Sequence, residues 1–319
     1  MKKILFILDK LELKYFEFNK LVTNFWIVKE FLDRGNQVFV TTIPNLSLKE
    51  DIAYAKCYDS YSKDGDIFYN QLMHEKQIDE FDMVMFRPDP PVDIDYINAT
   101  YIFDFVSKPV VINSPRAIRD FNEKLHSVYF KEFMSENIVT ASLSDIEAFL
   151  AVHKQIVLKP LNRCFGSGVM YLYEGDPNTR TIINTMTNNE TTLVMVQKFI
   201  TGVKNGDKRV LTLGDKVLKY CVKKLPSGDD FKFNTHNDNF ITNAELSLQE
   251  LADFSKVAKR LNSMGISMAG LDVIDGKIIE VNVTSPCYFI KEINGLYNIH
   301  LEKEICDFLL SENFVKSCV

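Results

Sequence analysis

Apolar residues open the chain in an alternation of strands and a helix. Residues 3–8 are continuously apolar, as in a buried strand. Thr23 can cap a helix over residues 24–34, and residues 38–42 then form a second predicted strand. A strand, a helix and another strand follow, at 83–86, 94–106 and 109–112. This alternation is typical of a parallel α/β sheet and predicts an N-terminal domain over residues 1–120.

The rest of the chain divides into two further units. Residues 121–198 predict a small α+β module, with a helix over 122–133, a helix opened by a Ser144–Glu147 capping box, strands at 155–159, 169–173 and 193–197, and a helix from about Pro177. Residues 199–319 predict antiparallel strands at 209–213, 216–225, 269–274 and 277–283, with a helix capped by Ser247 and Glu250 and a closing helix over 300–310. Residues 45–80 are weakly periodic and predict no element.

Composition and charge exclude several classes of protein. A hydrophobic fraction of 46% with 25% charged residues is that of a folded globular protein, which excludes disordered and collagen-like chains. The net charge of −6 offers no basic field for a nucleic-acid backbone, so no nucleic-acid partner is expected. No apolar run approaches the roughly 18 residues of a membrane span, so no membrane partner is expected. Six scattered cysteines without zinc-type spacing indicate reduced thiols, and the chain is predicted to be cytoplasmic.

Glycine is scarce, and its placement bears on nucleotide binding. Only Gly35 and Gly65 precede residue 166, and the chain contains neither a G-x-G-x-x-G after its first strand nor the G-x-x-x-x-G-K-[ST] of a P-loop. A nucleotide would therefore bind by another device. Gly166 and Gly168 link two predicted strands, where their backbone N–H groups either approach a phosphate or form a plain hairpin turn.

Oxygen ligands gather in the predicted C-terminal hairpin. Glu280 and Asn282 project to one side of a strand, because side chains alternate, and such ligands suit Mg²⁺. A strict two-residue Asp-Gly loop would pair Asp272 with Ile279 and point it away from Glu280, whereas a loop of odd length pairs it with Glu280. We favour the odd loop, and hence a metal site of Asp272, Glu280 and Asn282. The alternative is a set of polar positions on a solvated hairpin face.

Basic residues in the middle of the chain are candidates for phosphate contacts. Lys159 ends an apolar strand, and Pro160 holds it extended, so its ammonium group stands at a sheet edge. Lys124 lies in N-E-K-L, and Lys208 and Arg209 lie in N-G-D-K-R-V. Taken singly, each is also consistent with a side chain whose stem packs and whose charge is solvated.

The segment F-R-P-D-P-P-V-D follows a predicted parallel strand at its carboxyl end, where open α/β sheets bind their ligands. Arg87 there can hold a substrate carboxylate by a bidentate pair. Three prolines stiffen the backbone around Asp89, which lowers the entropy cost of ordering the loop on binding. The alternative is a stiff surface loop with an Arg–Asp pair.

Taken together, these segments resemble the ATP-grasp fold and, within it, the prokaryotic glutathione synthetase family. The resemblance rests on motifs in the family's order over nearly the whole chain, namely R-x-D-P-P from Arg87, R-D-F-N-E-K-L (119–125), L-K-P-L (158–161), N-G-D-K-R-V-L (205–211) and V-N-V-T-S-P (281–286). It implies an α/β and α+β protein. An N-terminal α/β domain with a parallel sheet precedes an ATP-grasp lid subdomain (121–198) and a catalytic and metal-binding ATP-grasp domain (199–319).

The resemblance also implies an activity and its residues. It implies a homo-oligomeric, ATP- and Mg²⁺-dependent ligase, with Mn²⁺ as a substitute metal, that joins γ-glutamylcysteine to glycine through an acyl phosphate. Catalytic roles fall to Arg209 and Lys208, and metal binding to Asp272, Glu280 and Asn282. Nucleotide contacts fall to Lys124, Lys159, Gly166, Gly168, Gln197, Phe199, Lys232 and Asn234. Substrate contacts fall to Arg87, Asp89, Lys224 and Ser285.

Two loops depart from the family's pattern. Arg163, Cys164 and Phe165 stand where the family has a glycine-rich run, and K-F-N-T-H-N-D-N-F (232–240) replaces the loop that closes over the acyl phosphate. Lys224 stands where an arginine is expected. A lysine cannot form the bidentate pair that an arginine makes with a carboxylate or phosphate. These changes leave open an ATP-grasp carboxylate–amine ligase with a different acceptor, and a nucleotide-binding protein without activity.

Overall fold

Seven strands near the N-terminus form one sheet in the computed structural model, which describes residues 1–9, 22–163, 166–226 and 241–318. They are β1 (Lys3–Leu8), β2 (Gln37–Thr42), β3 (Leu46–Lys49), β4 (Ile52–Lys63), β5 (Asp66–Gln77), β6 (Met83–Phe86) and β7 (Val110–Ile112). Their order is β3-β4-β2-β1-β6-β7, with β5 paired to β4. Strands β2, β1, β6 and β7 run parallel, which confirms the predicted parallel α/β sheet.

Strands β3, β4 and β5 occupy the segment for which the pattern predicts no element. They pair antiparallel, and β4 and β5 form a hairpin of two 12-residue strands. The register of this hairpin shifts between Tyr58 and Ser60. A bulge of this kind breaks the two-residue alternation, so the long strands leave only a weak period in the sequence. The sequence pattern assigns no element to residues 45–80, and the structure places these three strands there.

In the described part of the chain, three helices cover the two faces of the N-terminal sheet. They are α1 (Thr23–Asp33), α2 (Ile94–Ile102) and α3 (Pro115–Asp120). The predicted cap at Thr23 is wrong, because Val22 precedes the helix and makes no side-chain cap. Thr23 Oγ1 instead accepts a hydrogen bond from the backbone N–H of Tyr288 at 2.8 Å. The start of α1 is thus tied to the C-terminal part of the chain.

The next sheet has four antiparallel strands among the described residues, in the order β10-β9-β11-β8. Its strands are β8 (Asn137–Thr140), β9 (Gln155–Pro160), β10 (Met170–Tyr173) and β11 (Val194–Lys198), with α4 (Leu143–His153) and α5 (Thr179–Met186). The predicted helix over 122–133 is a 3-10 segment, His126–Phe133, interrupted by the non-helical backbone of Phe130. The α4 cap is Ser142, which accepts the N–H of Asp145 at 3.2 Å, and not the predicted Ser144.

The third sheet has the order β15-β14-β12-β16-β17, with β13 paired to β12, and all its pairs are antiparallel. Its strands are β12 (Asp207–Leu213), β13 (Lys216–Val217), β14 (Cys221–Lys224), β15 (Ile241–Ala244), β16 (Met268–Ile274) and β17 (Lys277–Asn282). The predicted strand over 216–225 is therefore two strands. The helices are α6 (Leu248–Ser263), α7 (Ile290–Tyr297), α8 (Leu301–Leu310) and α9 (Glu312–Cys318). The capping box of Ser247 and Glu250 is present at α6.

The largest apolar core joins the first and third sheets. It contains Phe6 and Val40 from one sheet, Leu211 and Met268 from the other, and Ile305 from α8. Because the two ends of the chain share this core, the division at residues 120 and 198 remains a prediction from the sequence pattern. Within the described residues, no helix is both long and apolar enough to cross a membrane.

Candidate active site

A bulge in the hairpin of β16 and β17 sets the position of the predicted metal ligands. Asp272 lies opposite Glu280, as predicted. The odd loop is wrong, however: Ile274 pairs with Lys277, so the Asp-Gly loop has two residues, both with positive φ. The register shifts between Asp272 and the next residue, which makes Ile279 an extra residue in β17. This bulge brings the two carboxylates into one cross-strand pair.

Asp272 is the most heavily engaged of these ligands. Arg209 on β12 donates to both of its oxygens, at 2.7 and 3.1 Å, in a bidentate pair. Lys224 on β14 lies 3.3 Å from Asp272 Oδ1 and 2.6 Å from Asp207 Oδ2. Burial alone would raise the pKa of Asp272, but the charges of Arg209 and Lys224 outweigh it and hold that pKa well below its usual range. Asp272 is thus a fixed anion.

Asn282 completes this group on β17. Its Nδ2 donates to Asp272 Oδ2 at 3.0 Å and to the carbonyl oxygen of Gly270 at 3.2 Å. Gly270 also makes room for the arginine, because a Cβ at this position would lie 3.1 Å from Arg209 Cδ and Nη1. The amide and the glycine therefore both help to fix the Arg209–Asp272 pair.

Lys208 does not join the site. Strand β12 turns Lys208 and Arg209 to opposite faces, as neighbouring side chains in a strand must be. Lys208 Nζ donates to both oxygens of Glu250 on α6, at 2.9 and 3.0 Å, and lines a cavity of about 510 Å³ on that face. The structure therefore does not bring Lys208 and Arg209 together, and no described contact supports the catalytic role that the motif predicts for Lys208.

Two buried lysines donate hydrogen bonds to β17, close to the carboxylates. Lys124 Nζ donates to Glu280 Oε1 at 2.9 Å and to the carbonyl oxygen of Arg163 at 2.6 Å. Lys159, at the end of β9, donates to the carbonyl oxygen of Ile279 at 3.0 Å. The acceptor of Lys159 is thus the extra residue of the bulge. Burial lowers the pKa of Lys159 to about 8.

The residues predicted to meet the nucleotide base lie near the end of β11, with Gln197 in the strand and Phe199 directly after it. Gln197 is 3% exposed, and its Nε2 finds no hydrogen-bond partner among the described residues. The ring of Phe199 packs against Tyr171 with centroids 4.8 Å apart. Gly166 and Gly168 lie in the loop after β9 with φ of 68° and 74°, which a residue with a side chain rarely adopts. Cys164, Lys232 and Asn234 lie outside the described residues.

Arg87 lies at the carboxyl end of β6 and reaches the C-terminal part of the chain. Its Nε donates to Asn24 Oδ1 at 2.6 Å, and its Nη2 donates to the carbonyl oxygen of Pro286 at 3.0 Å and lies 3.5 Å from Ser285 Oγ. Three of the four predicted substrate residues, Arg87, Asp89 and Ser285, therefore border one region. The fourth, Lys224, belongs to the Asp272 group.

Two acidic residues near the site are not among those predicted from the sequence. Asp9 follows β1 directly and accepts the backbone N–H of Asp89 at 2.6 Å. Glu123 Oε1 accepts the N–H of Val283 at 2.7 Å and both the N–H and hydroxyl of Thr284 at 3.0 Å. The signal for Asp9 was its place after a parallel strand, the same rule that selects Arg87. Glu123 lies in the N-E-K-L motif, in which a role was predicted only for Lys124.

Comparisons with known proteins identify the architecture. The family model for the prokaryotic glutathione synthetase ATP-grasp domain matches residues 123–298, and that for the N-terminal domain matches residues 3–119. The chain belongs to the prokaryotic glutathione synthetase family. It is 33% identical to a glutathione synthetase of Vibrio vulnificus (strain CMCP6) over 289 residues, covering 89% of this chain and 91% of that protein. It is 32% identical to one of Neisseria meningitidis serogroup B (strain ATCC BAA-335 / MC58) over 297 residues, covering 91% and 92%.

Solved structures show the same fold at lower identity. The D-cycloserine synthetase DcsG matches with a TM-score of 0.69 at 12% identity, covering 99% of this chain and 100% of that one. The D-alanyl-alanine synthetase A of Vibrio cholerae O1 biovar eltor matches with a TM-score of 0.62 at 11% identity, covering 99% of each chain. At this identity the likeness shows the ATP-grasp fold alone, which confirms the predicted fold class.

Proposed function

We propose that the chain joins γ-glutamylcysteine to glycine, using ATP to convert the dipeptide's terminal carboxylate into an acyl phosphate. The amine of glycine then attacks the acyl carbon and phosphate leaves, so the products are glutathione, ADP and phosphate. One observation carries this proposal within the family: the basic residues Lys124, Lys159 and Arg209 converge on the carboxylate pair of Asp272 and Glu280. Phosphoryl transfer depends on such positioning and charge stabilisation.

The metal ligands proposed are Glu280, Asn282 and Asp272. The hydrogen bonds of the described residues leave Glu280 Oε2 and Asn282 Oδ1 available as oxygen ligands. Both oxygens of Asp272 already accept hydrogen bonds from Arg209, Lys224 and Asn282, so a metal there would have to displace at least one of these donors. A divalent metal, Mg²⁺ with Mn²⁺ as a substitute, would neutralise charge on the phosphates of ATP.

Two carboxylates and one amide are a sparse ligand set, and this suits magnesium. Among the described residues, no three His, Cys, Asp or Glu side chains cluster as a ready-made metal site. Mg²⁺ commonly binds through one or two carboxylates and takes its other ligands from substrate phosphates and water. The chemistry of Asp272, Glu280 and Asn282 therefore fits a metal that arrives with a nucleotide.

Lys124 and Lys159 are proposed to bind the phosphates of ATP. Both side chains are buried, with their ammonium groups aimed at Glu280 and at the carbonyl oxygen of Ile279. Burial penalises the charged ammonium group of Lys159, and a bound polyanion would remove that penalty. Arg209 would stabilise the negative charge that develops on the transferred phosphoryl group. Gly166 and Gly168 would let backbone N–H groups come close to the same phosphates.

Gln197 and Phe199 are proposed to receive the adenine ring. A buried amide donor without an acceptor costs free energy, and Gln197 Nε2 is such a donor among the described residues. A ring nitrogen of adenine would satisfy it. Phe199 and Tyr171 supply an apolar surface next to it. Lys232 and Asn234, which lie outside the described residues, are proposed as nucleotide contacts from the family resemblance alone.

The substrate residues are proposed to act in two places. Arg87, Asp89 and Ser285 lie between the first sheet and the C-terminal segment, where they would hold the part of the dipeptide that does not react. Lys224 lies against Asp272 and would contact the reacting carboxylate as a single point charge.

Glycine as the acceptor is tested by measuring ADP release with ATP, a divalent metal and γ-glutamylcysteine. Glycine is omitted, added, or replaced by alanine, and glutathione is identified by mass spectrometry. Turnover that depends on glycine supports the proposal. Turnover with alanine but not glycine would support the ligase with a different acceptor, the alternative that the altered segment 232–240 raises.

Two further properties are proposed from the family. A homo-oligomer is tested by light scattering coupled to size-exclusion chromatography. A cytoplasmic location agrees with the need for ATP and is tested by cell fractionation.

A further inference from the structure

The direction in which successive strands are added to the first sheet reverses between β1 and β6. Strand β2 lies on one side of β1, and β6 and β7 lie on the other, so the carboxyl ends of β1 and β6 border a crevice. Open α/β sheets bind ligands at such a switch point. Asp9 is the first residue after β1, and Arg87 is the first after β6. The two side chains with opposite charge therefore stand at the place that the topology favours for a ligand.

Asp9 and Asp89 form a carboxylate pair there. The backbone N–H of Asp89 donates to Asp9 Oδ2 at 2.6 Å, which brings the two residues together. Within the part of the chain that is described, no lysine, arginine or histidine forms an ion pair with either carboxylate. Partial burial raises the pKa of Asp9 to about 7, although the hydrogen bond from the Asp89 N–H lowers it, and the charge of Asp89 raises it further. Two adjacent carboxylates that have no cationic partner among the described residues favour a cation from outside the protein.

Arg87 supplies the complementary charge beside this pair. Its side chain is 3% exposed, and its Nε and Nη2 are held by Asn24 and Pro286. No hydrogen bond among the described residues uses Nη1. Asp89 is near enough for its charge to act on the pKa of Arg87. A guanidinium group and a carboxylate pair thus border one crevice, which is the pattern that an α-amino acid zwitterion requires.

The distance to the reacting centre fits the length of a dipeptide. Arg87 Nη2 contacts the carbonyl oxygen of Pro286, and Arg209 Nη1 contacts that of Cys287, the next residue. Since consecutive Cα atoms are 3.8 Å apart, the two guanidinium groups lie within about 10 Å of each other. In γ-glutamylcysteine, the α-carbon of the glutamyl residue and the terminal carboxylate are separated by about 7–8 Å when extended.

We propose that Asp9 and Asp89 bind the α-ammonium group of the γ-glutamyl residue while Arg87 binds its α-carboxylate. This inference rests on the proposed function. It makes Asp9 a specificity-determining residue, because a dipeptide without the α-amino group would leave the carboxylate pair unpaired. Glycine is not the ligand of this crevice, since its amine must reach the acyl phosphate and cannot be held as an ammonium group at the other end of the dipeptide.

The test compares two substrates in four proteins. The substrates are γ-glutamylcysteine and glutarylcysteine, which has hydrogen in place of the α-amino group. The proteins are the wild type, Asp9→Asn, Asp89→Asn and the control Asp95→Asn, whose exposed carboxylate lies in the first turn of α2. The Asp9→Asn variant keeps a side-chain oxygen for the Asp89 N–H, so thermal unfolding should show a folded protein.

The wild type and Asp95→Asn should prefer γ-glutamylcysteine by about 10- to 100-fold in KM, the range for a charge-assisted hydrogen bond. Asp9→Asn should lose most of this preference by raising the KM for γ-glutamylcysteine, and Asp89→Asn should act in the same direction. The KM values for glycine and ATP should stay within about threefold. A calorimetric titration of both dipeptides measures the same preference without turnover.

Two results would overturn the inference: equal use of both dipeptides by the wild type, or an undiminished preference in Asp9→Asn. A rise in the KM for glycine, with that for γ-glutamylcysteine unchanged, would also overturn it by placing the acceptor in the crevice. Failure of the wild type to form glutathione counts against the proposed function instead. In that case the calorimetric preference still decides the role of Asp9.

Discussion

The neighbouring residues Lys208 and Arg209 offer a test of the site, because they carry the same charge on opposite faces of β12. We predict that Arg209→Met lowers kcat by about 10³- to 10⁵-fold, the range seen when an arginine that stabilises a transferred phosphoryl group is removed. At 1.36 kcal/mol for each tenfold change, this is about 4–7 kcal/mol of transition-state stabilisation. Lys208→Met, in contrast, should keep kcat within about twofold.

The expected losses of stability follow from what each substitution leaves behind. Arg209→Met leaves Asp272 buried, but Lys224 at 3.3 Å and Asn282 at 3.0 Å still contact the carboxylate. We therefore expect the free energy of unfolding to fall by about 3 kcal/mol, the low end for breaking a buried ion pair. Lys208→Met removes a partly exposed ion pair with Glu250. Because Glu250 keeps its capping contact with Ser247, we expect the free energy of unfolding to fall by only about 1 kcal/mol.

The assay measures ADP release at saturating substrate concentrations, together with urea unfolding of each variant. Arg209→Lys serves as the matched control, because it keeps the charge and loses the bidentate fork, and its kcat should lie between those of the wild type and Arg209→Met. Equal losses of kcat in Lys208→Met and Arg209→Met would refute the placement of only Arg209 on the catalytic face of β12. So would a folded Arg209→Met protein with more than a tenth of wild-type kcat.

Three further predictions concern the same site. Gly270→Ala should lower kcat tenfold or more, because its Cβ would meet the Arg209 guanidinium, whereas Gly295→Ala on α7, with open space around it, should leave kcat unchanged; similar kcat values would contradict this. ATP binding should take up a proton above pH 8, since the bound phosphates raise the lowered pKa of Lys159, so ATP affinity should fall as the pH rises from 8 to 10. Calorimetry at pH 9 in two buffers of different ionisation enthalpy measures this uptake, which Lys159→Met should abolish. Glu280→Ala should abolish ADP release at any Mg²⁺ concentration, and retained turnover would remove Glu280 from the metal site.

Local sequence signals predicted the elements that obey a simple period or carry a marker residue. The parallel strands β1, β2, β6 and β7 are continuous apolar runs, and the predicted Ser247–Glu250 capping box is found at α6. Prediction failed where two nearby residues carry the same signal. Ser142 and Ser144 are both suitable caps for α4, and only the backbone of the first is extended at the helix start. The sequence of residues 45–80 does not reveal its hairpin, because a register shift interrupts the alternation.

Contacts between distant segments were beyond reach from the sequence, even where the residues themselves were found. Asp9 and Asp89 are 80 positions apart, and Glu123 and Thr284 are 161 apart. Their proximity depends on which strands become neighbours in the sheets. The sequence could indicate the carboxyl ends of strands as ligand positions, but the order β2-β1-β6 selects which two ends border one crevice.

The bulge at Ile279 explains why the right ligands were predicted for a wrong reason. With the two-residue loop that is present, an unbroken ladder would pair Asp272 with Ile279 and turn Glu280 to the opposite face. One extra residue in β17 restores the pairing of the carboxylates, and its carbonyl oxygen then accepts a hydrogen bond from Lys159. The same insertion therefore aligns the acidic pair and provides an acceptor for a lysine proposed to bind phosphate. Loop length alone could not decide the face of Glu280, because an insertion anywhere between the loop and the ligand has the same effect on parity.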